Sequence, residues 1–330
     1  MKLGLATYSY HYAAGLWEFL PRANPPMTAL HFLRKASELG LDGVHFSDPR
    51  HLDSLEYGYV SGLREKAEAL GLYVELGTEG TNPDHLQNMV RAAHVLGSPL
   101  VRTRLGKPRP RSAQGMSELL SATAAEVAQV VPVCDRYEVS LAIANGPDLT
   151  AREARELADT IGSPRVGVSL DTGETLALLE DALEAAHTVG PAVKSVHLKD
   201  YQVVATSEGY VLVGCALGEG VVDVAGVLDL LLSQAPETHC NIEAPMMKRA
   251  VPALSDDYLH HLPRATARDL GRVLRLVRDQ GLAEMPRLAV ERGASEDEVL
   301  AEEDEQVVRS VRWAARALGR PEAEAADSGA

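Results

Sequence analysis

The chain alternates between short apolar runs and longer segments whose apolar residues recur at helical spacing. Eight of the runs have the composition of β-strands, and most of them stop at a polar residue next to a turn. They lie at 3–9, 41–47, 72–79, 99–105, 139–145, 166–171, 193–197 and 239–243. Regular alternation of strand and helix is typical of repeated β-α units built around a parallel sheet.

The segments between these runs predict the helices, at 27–39, 54–70, 83–96, 116–136, 150–161, 175–189, 222–234 and 266–280. Two boundaries carry specific signals. Gly97 follows the third segment, where a helix commonly ends, and Thr150 and Glu153 have the spacing of a capping box.

Eight such units favour a closed (β/α)8 TIM barrel over residues 1–281 rather than an open doubly wound sheet. Polar residues at nearly every strand end suit the C-terminal face of such a barrel, and no G-x-G-x-x-G follows the first strand. Residues 282–330 predict a C-terminal extension. Its helix, at 295–318, would pack on the barrel or on a second subunit, which leaves a homo-oligomer open, and a mobile tail follows from Pro321.

Composition narrows the kinds of partner. The formal net charge of −15 argues against nucleic-acid binding, which needs a basic surface. No run approaches the roughly 18 apolar residues of a membrane span, and the N-terminus turns polar too soon for a signal peptide. The three cysteines, unpaired in spacing, predict buried thiols in a reducing compartment, so we expect a cytoplasmic protein.

The last three strands each end in a side chain that can bind a metal. These are Asp171, His197 and Glu243. Because the carboxyl ends of parallel strands meet at one mouth of a barrel, the three are expected to converge. Mixed oxygen and imidazole ligands suit Mn²⁺ or Mg²⁺ better than the thiolate-rich set of structural zinc. The competing interpretation is that Asp171 caps the next helix and His197 is a hydrogen-bonded core residue.

Short motifs around these strand ends carry a family resemblance. They are LDTG at 170–173, VHLKD at 196–200, GEGVVD at 218–223 and IE at 242–243. With them, about residues 1–280 resemble the xylose-isomerase-like barrels, a superfamily of sugar isomerases and epimerases. The resemblance implies one divalent ion, Mn²⁺, Mg²⁺ or Co²⁺, on Glu, Asp, His and Glu from strands five to eight, and a small-molecule sugar or keto-sugar as substrate.

The chain departs from the family pattern at one of those four ligands. Asp171, His197 and Glu243 match the last three, whereas Ala144 stands where the first glutamate is expected, followed by Asn145. In the family that glutamate is also one of two proton-transfer groups, so Glu243 becomes the family carboxylate that remains. Either Ala144 is natural and marks a divergent or inactive relative, or it replaces a glutamate in an inactivated variant.

Further residues are candidates for the same site. Glu243, Glu174 and Lys199 are predicted to act in catalysis, since proton transfer beside a carbonyl needs a carboxylate base and a group that polarises oxygen. Glu174 has an alternative role at a helix N-terminus. The predicted substrate contacts are His45, Arg102, Tyr8 and Asn145. An ion pair with Glu75 or Glu79 is an equal alternative for Arg102, and core packing is the alternative for Tyr8 and His45.

Three functions follow from these residues and the resemblance. The leading hypothesis is a metal-dependent sugar or keto-sugar isomerase or epimerase, working by proton transfer next to a carbonyl. A lyase or dehydratase on an oxidised sugar or glycoside needs only one base, which suits Ala144 better. The third hypothesis is a sugar-binding or partner subunit without catalytic activity.

Overall fold

The computed structural model describes residues 1–15 and 25–321. These residues form eleven strands: β1 (Lys2–Ala6), β2 (Gly43–Phe46), β3 (Tyr73–Glu79), β4 (Leu100–Arg104), β5 (Ser140–Ala144), β6 (Val166–Asp171), β7 (Val193–Leu198), β8 (Asp200–Thr206), β9 (Gly209–Cys215), β10 (His239–Ile242) and β11 (Lys248–Val251). Eight of them close into a parallel barrel in the order β1-β10-β7-β6-β5-β4-β3-β2. The predicted (β/α)8 barrel is confirmed.

Helices surround the barrel. They are α1 (Ala29–Glu38), α2 (Tyr57–Ala69), α3 (Pro83–Leu96), α4 (Ala113–Ala128), α5 (Val131–Tyr137), α6 (Ala151–Ile161), α7 (Glu174–Ala177), α8 (Ala182–Val189), α9 (Val224–Gln234), α10 (Asp256–His260), α11 (Ala267–Gln280) and α12 (Glu296–Ala317). The tail predicted to be mobile lies, beyond Pro321, outside the described residues.

Local sequence signals explain several of these boundaries. In the capping box of α6, the Glu153 N–H donates to Thr150 Oγ1 at 3.1 Å and the Thr150 N–H donates to Glu153 Oε2 at 2.9 Å. Helix α3 ends at Gly97, whose φ of 82° is a left-handed conformation that favours glycine. Both signals were predicted from the sequence and are confirmed.

Two predicted helices are wrong in extent, because each is two helices. The segment predicted at 116–136 divides between α4 and α5, and Pro132, in the first turn of α5, has no N–H with which to continue a longer helix. The segment predicted at 175–189 divides between α7 and α8. Leu179 there has a φ of 60°, and the Asp181 side chain caps α8 by accepting from the Glu184 N–H at 2.9 Å.

A three-stranded antiparallel sheet, which the sequence analysis did not predict, lies outside the barrel. Its order is β11-β9-β8, and the β8–β9 hairpin turns at residues 207–208. Gly209, with a φ of 148°, has no room for a Cβ, since that atom would lie 2.3 Å from the Val251 carbonyl oxygen. The sheet brings β11, which follows the last barrel strand, back beside the mouth of the barrel.

No helix of the described residues is long and apolar enough to cross a membrane. Cys134, Cys215 and Cys240 are all buried free thiols, as predicted from their spacing.

The C-terminal helix α12 is present where the sequence predicts one, and it packs on the barrel. Val307, Val311 and Ala314 join the main apolar core. At the same face the buried Glu303 carboxylate accepts hydrogen bonds from the Tyr12 N–H at 2.8 Å and the Ala13 N–H at 3.0 Å. The helix therefore holds the segment that follows β1. The boundary at residue 281 between barrel and extension stays a prediction.

The stability of this contact should depend on pH. Burial raises the pKa of Glu303 to about 7, so the folded chain keeps a proton that the unfolded chain has already lost. The contribution of Glu303 to stability is therefore full below its ordinary pKa of 4.5 and is lost as the pH rises towards 7. Relative to a Glu303→Gln variant, which cannot titrate, the unfolding free energy of the wild type should fall by about 3 kcal/mol across that interval.

Urea unfolding of both proteins between about pH 5 and about pH 8 would measure this difference. Burial also raises the pKa of Glu180 to about 7, but that residue is present in both proteins and cancels. A difference in unfolding free energy that does not change with pH would contradict the prediction.

Candidate metal centre and active site

Strand register brings the three predicted ligands to one place. Asp171 and His197 are paired directly across β6 and β7, and His197 is paired with Asn241 across β7 and β10. Glu243 follows β10 by one residue. One ligand atom from each of Asp171, His197 and Glu243 lies within 4.8 Å of the other two, and all three residues are buried. An ion-sized cluster thus forms at the carboxyl ends of the strands.

The two carboxylate oxygens of Asp171 have different partners. Oδ1 accepts from the Gly173 and Glu174 N–H groups, both at 3.1 Å, at the start of α7. Oδ2 faces the cluster, 3.1 Å from Lys199 Nζ and 4.0 Å from His197 Nδ1. Asp171 therefore both caps the following helix and presents its second oxygen to the cluster, whereas metal binding by that oxygen stays a prediction.

His197 presents a buried nitrogen that suits a metal. Its Nδ1 lies 2.7 Å from Glu243 Oε2 but lacks the alignment of a hydrogen bond. Its Nε2 lies 3.2 Å from Nδ1 of His45, which also contacts Ser47 Oγ at 3.1 Å. A proton on His197 Nε2, accepted by His45, leaves the Nδ1 lone pair free for an ion. The orphaned Nδ1 and the mixed oxygen and nitrogen donors fit a divalent cation.

Lys199 supplies the positive charge inside this cluster. Its ammonium lies 2.6 Å from Glu243 Oε1, 3.1 Å from Asp171 Oδ2 and 3.6 Å from Glu174 Oε1. Burial alone would lower the pKa of Lys199, but Asp171 and Glu243 raise it well above the ordinary value. Burial would likewise raise the pKa of Glu243, yet the adjacent Lys199 ammonium holds it well below its usual range. Lys199 is therefore protonated and Glu243 ionised.

Glu174 has a second cationic partner besides Lys199. Its Oε2 accepts from Arg249 Nη1 at 2.6 Å, an arginine that the outer sheet carries on β11. Burial raises the pKa of Glu174, but Lys199 and Arg249 outweigh burial and keep it below the ordinary value. Burial does prevail at Asp171, whose pKa is raised even though Lys199 pulls it down.

A cavity of about 420 Å³ opens over the cluster. Tyr8, Arg102, Glu174, Lys199 and Glu243, five of the residues that the sequence singles out, contribute to its wall together with Asp171. Pockets of this size commonly hold small organic ligands.

His45 and Asn145, the other predicted substrate contacts, do not line this cavity. His45 contacts His197, as described above. The Asn145 side-chain amide forms two hydrogen bonds with the Asp171 backbone. It donates to the carbonyl oxygen at 3.0 Å and accepts from the N–H at 2.7 Å. Both side chains position the cluster from behind, so a contact between either and a substrate stays a prediction.

Ala144 ends β5, beside the cluster, and is fully buried. It is paired with Ser169 on β6, two residues before Asp171. The position where the family resemblance implies a fourth ligand therefore offers only a methyl group. Among the described residues, the group whose ligand atoms lie within 4.8 Å of one another is Asp171, His197 and Glu243.

Two functional features escaped sequence analysis. Arg249 reaches Glu174 only through the outer sheet, and the β-branched residues of β8 and β9 were the one signal for that sheet. Asp200, the last residue of the VHLKD motif, accepts from the N–H groups of Gly218 and Gly220 at 2.9 and 3.0 Å and so holds the GEG loop. A Cβ at Gly220 would lie 2.1 Å from Asp200 Oδ1, so the GEG loop needs its second glycine.

Comparison with known proteins defines the class. Residues 33–276 match the family model of the xylose isomerase-like TIM barrel, and the chain belongs to this family. One relative is the 3-oxo-isoapionate decarboxylase of Pectobacterium atrosepticum, 28% identical over 226 residues, which cover 68% of this chain and 78% of the relative.

Solved structures agree on the fold. The chain resembles a D-psicose 3-epimerase studied in the presence of D-fructose, with a TM-score of 0.57 and 15% identity over 85% of this chain and 99% of the epimerase. It also resembles the IolI protein, solved with a bound zinc atom, with a TM-score of 0.57 and 14% identity over 86% of this chain and 100% of that protein. At this identity the likeness establishes the barrel and not the substrate.

The cluster predicts how the chain binds a divalent ion. An Asp171→Asn substitution keeps the capping oxygen but removes a negative charge, so Mn²⁺ affinity should fall at least about tenfold, or 1.4 kcal/mol, in calorimetric titration. Asp181→Asn is the matched control, because Asp181 also caps a helix but lies outside the cluster, and asparagine caps equally well. Equal loss of affinity in both variants would contradict the assignment.

Proposed function

We propose that this protein is a divalent-metal-dependent lyase that acts on an oxidised sugar and forms an enediolate with at most one carboxylate base. The convergence of Asp171, His197 and Glu243 beside a protonated Lys199, next to a ligand-sized cavity, supports a metal-dependent enzyme. Mn²⁺ is the favoured ion, with Mg²⁺ or Co²⁺ as alternatives, since the donors are two carboxylates and one imidazole.

When bound, the ion supplies Lewis acidity and a template for the substrate oxygens. The chain's own groups do the rest. Asp171 and Glu243 would hold the ion. Lys199 places a positive charge where an enediolate oxygen develops negative charge. Glu243, held ionised by Lys199, is the carboxylate placed to accept a proton. Lys199, held protonated, is placed to return one.

Ala144 favours a lyase over an epimerase. Epimerisation needs one base on each face of the substrate, and the strand-five position supplies none. The decarboxylase relative is named for a reaction that avoids the problem. Loss of CO2 from a 3-oxo acid breaks a carbon–carbon bond and leaves its electron pair in the enolate of the neighbouring carbonyl. Only a proton donor to that carbon is then required, so no base has to remove a carbon-bound proton.

Isomerisation or epimerisation is the second candidate, and one observation supports it. Glu174 lines the same cavity and is kept ionised by Lys199 and Arg249, so it could act as the second base. The solved epimerases of this fold make the reaction chemically accessible to such a barrel. The two candidates differ in whether Glu174 takes part in the chemistry.

A Glu174→Gln substitution separates the two. A two-base reaction loses one of its bases, so kcat should fall by roughly 10²-fold or more. A one-base lyase keeps its chemistry, and kcat should change by less than about tenfold. CO2 release from 3-oxo sugar acids and deuterium wash-in with keto-sugars measure the two reactions on Mn²⁺-loaded protein. Wild-type wash-in without CO2 release, abolished by Glu174→Gln, would refute the lyase.

An Ala144→Glu substitution tests whether Ala144 is the natural residue of a divergent lyase or replaces a glutamate in an inactivated epimerase. The added carboxylate should tighten Mn²⁺ binding, since it offers a fourth ligand at the strand-five position. In a divergent lyase, turnover should not rise, because no second base is needed. Deuterium wash-in that appears only in Ala144→Glu would instead identify the chain as an inactivated epimerase. Ala142→Glu, on the same strand but two residues below the cluster, would not reproduce such a gain.

A further inference from the structure

One cation in the cavity wall has no ion-pair partner among the described residues, although its charge helps to lower the pKa of Glu243 from beyond ion-pair distance. Arg102 on β4 is only 4% exposed, and its Nε is buried without a hydrogen-bond partner. Across residues 1–15 and 25–321, no carboxylate lies within ion-pair distance of its guanidinium. The sequence-based alternative of an ion pair with Glu75 or Glu79 is therefore wrong for Arg102. Glu75 bonds to Ser195, His239 and Asn241.

The other cations that line the described cavity are all paired. Arg104 contacts Glu79 Oε2 at 2.5 Å, Arg50 contacts Asp48 Oδ2 at 2.9 Å, and Arg249 contacts Glu174. Lys199 contacts two of the cluster carboxylates. Arg102 thus stands apart from four neighbours that share its charge and its cavity.

The strand neighbours of Arg102 carry no charge. Its register partners are Gly77 on β3 and Ala142 on β5, and a Cβ at Gly77 would lie 2.4 Å from the Ser47 carbonyl oxygen, so the Ser47 backbone and not the arginine requires that glycine. A buried charge without a partner is costly in a folded protein. Its presence in a cavity wall is readily explained when a bound ligand supplies the opposite charge.

We propose that Arg102 is the carboxylate-binding residue of the site, and that the substrate is a sugar-derived acid. Its carboxylate pairs with the guanidinium of Arg102, while its carbonyl and hydroxyl oxygens face Asp171, His197 and Glu243. The placement of the carbonyl and hydroxyl oxygens at Asp171, His197 and Glu243 rests on the proposed function. A single free guanidinium matches one carboxylate in charge and in its forked geometry, whereas a phosphate dianion would leave charge uncompensated.

Three ligands with the same carbon skeleton test this. D-Gluconate carries a carboxylate, D-glucitol a neutral hydroxyl, and D-glucitol 6-phosphate a phosphate. Calorimetric titration of the full chain, with and without Mn²⁺, should show D-gluconate binding at least about tenfold more tightly than D-glucitol. The phosphate should bind less tightly than D-gluconate. The metal-free titrations keep Arg102 under test even if the ion does not bind.

Variants assign the preference to the residue. Arg102→Leu should abolish the preference for D-gluconate over D-glucitol, and Arg102→Lys should retain part of it, since lysine keeps the charge but not the fork. Arg104→Leu is the matched control on the same strand and wall. Because Arg104 is already paired with Glu79, its loss should change the preference less than about threefold.

Stability provides a readout that a structural role would not share. Removing an unpaired buried charge should leave the melting temperature of the ligand-free protein unchanged or raise it. Two results together would overturn the inference and assign Arg102 a structural role. They are a large drop in melting temperature for Arg102→Leu and an undiminished preference for D-gluconate over D-glucitol in Arg102→Lys.

The remaining outcomes separate this inference from the proposed function. Equal wild-type affinity for D-gluconate and D-glucitol, or tighter binding of the phosphate, overturns the carboxylate site even when Mn²⁺ still binds through Asp171. Failure of Mn²⁺ to bind overturns the metal-dependent enzyme, while a carboxylate preference that depends on Arg102 in metal-free protein would still support the anion site.

Discussion

The balance of charge at the carboxyl ends of β6, β7 and β10 governs this site. Two carboxylates and an imidazole are buried within a few ångströms of one another, and Lys199 lies among them. Buried like charges destabilise a fold unless an opposite charge or an ion accompanies them. Lys199 supplies that opposite charge, and its contacts with Asp171 and Glu243 stabilise the cluster.

Groups behind the cluster keep its geometry. Asn145 holds the Asp171 backbone with both ends of its amide, the α7 N-terminus holds one oxygen of Asp171, and His45 faces the far nitrogen of His197. Each contact removes a freedom that a metal ligand would otherwise have. In the cavity wall, Arg102 has no ion-pair partner among the described residues, and its Nε has no hydrogen-bond partner. The same cavity therefore combines buried carboxylates that could hold a cation with an arginine that attracts an anion.

Much of the barrel could be read from periodicity, because parallel strands buried on both faces are short, apolar and bounded by helices. The prediction failed where local signals compete. Pro132 and the left-handed Leu179 interrupt segments whose apolar spacing is continuous. The β8–β9 hairpin interrupts a β-α rhythm that has no place for it. Among the candidate site residues, Asp171, His197 and Glu243 could be predicted because each lies at or next to the end of a strand. The contact of Arg249 with Glu174 could not, because it depends on the unpredicted outer sheet.

By itself the sequence determined the repeating units and which side chains stand at strand ends, since both follow from the order of residues along the chain. It also revealed the departure at Ala144. Only the tertiary structure decided that Asn145 faces a backbone, that Glu174 is shared between Lys199 and Arg249, and that Arg102 has no carboxylate beside it. Whether a charge is paired depends on which distant segment lies next to it, and strand register and packing set that distance.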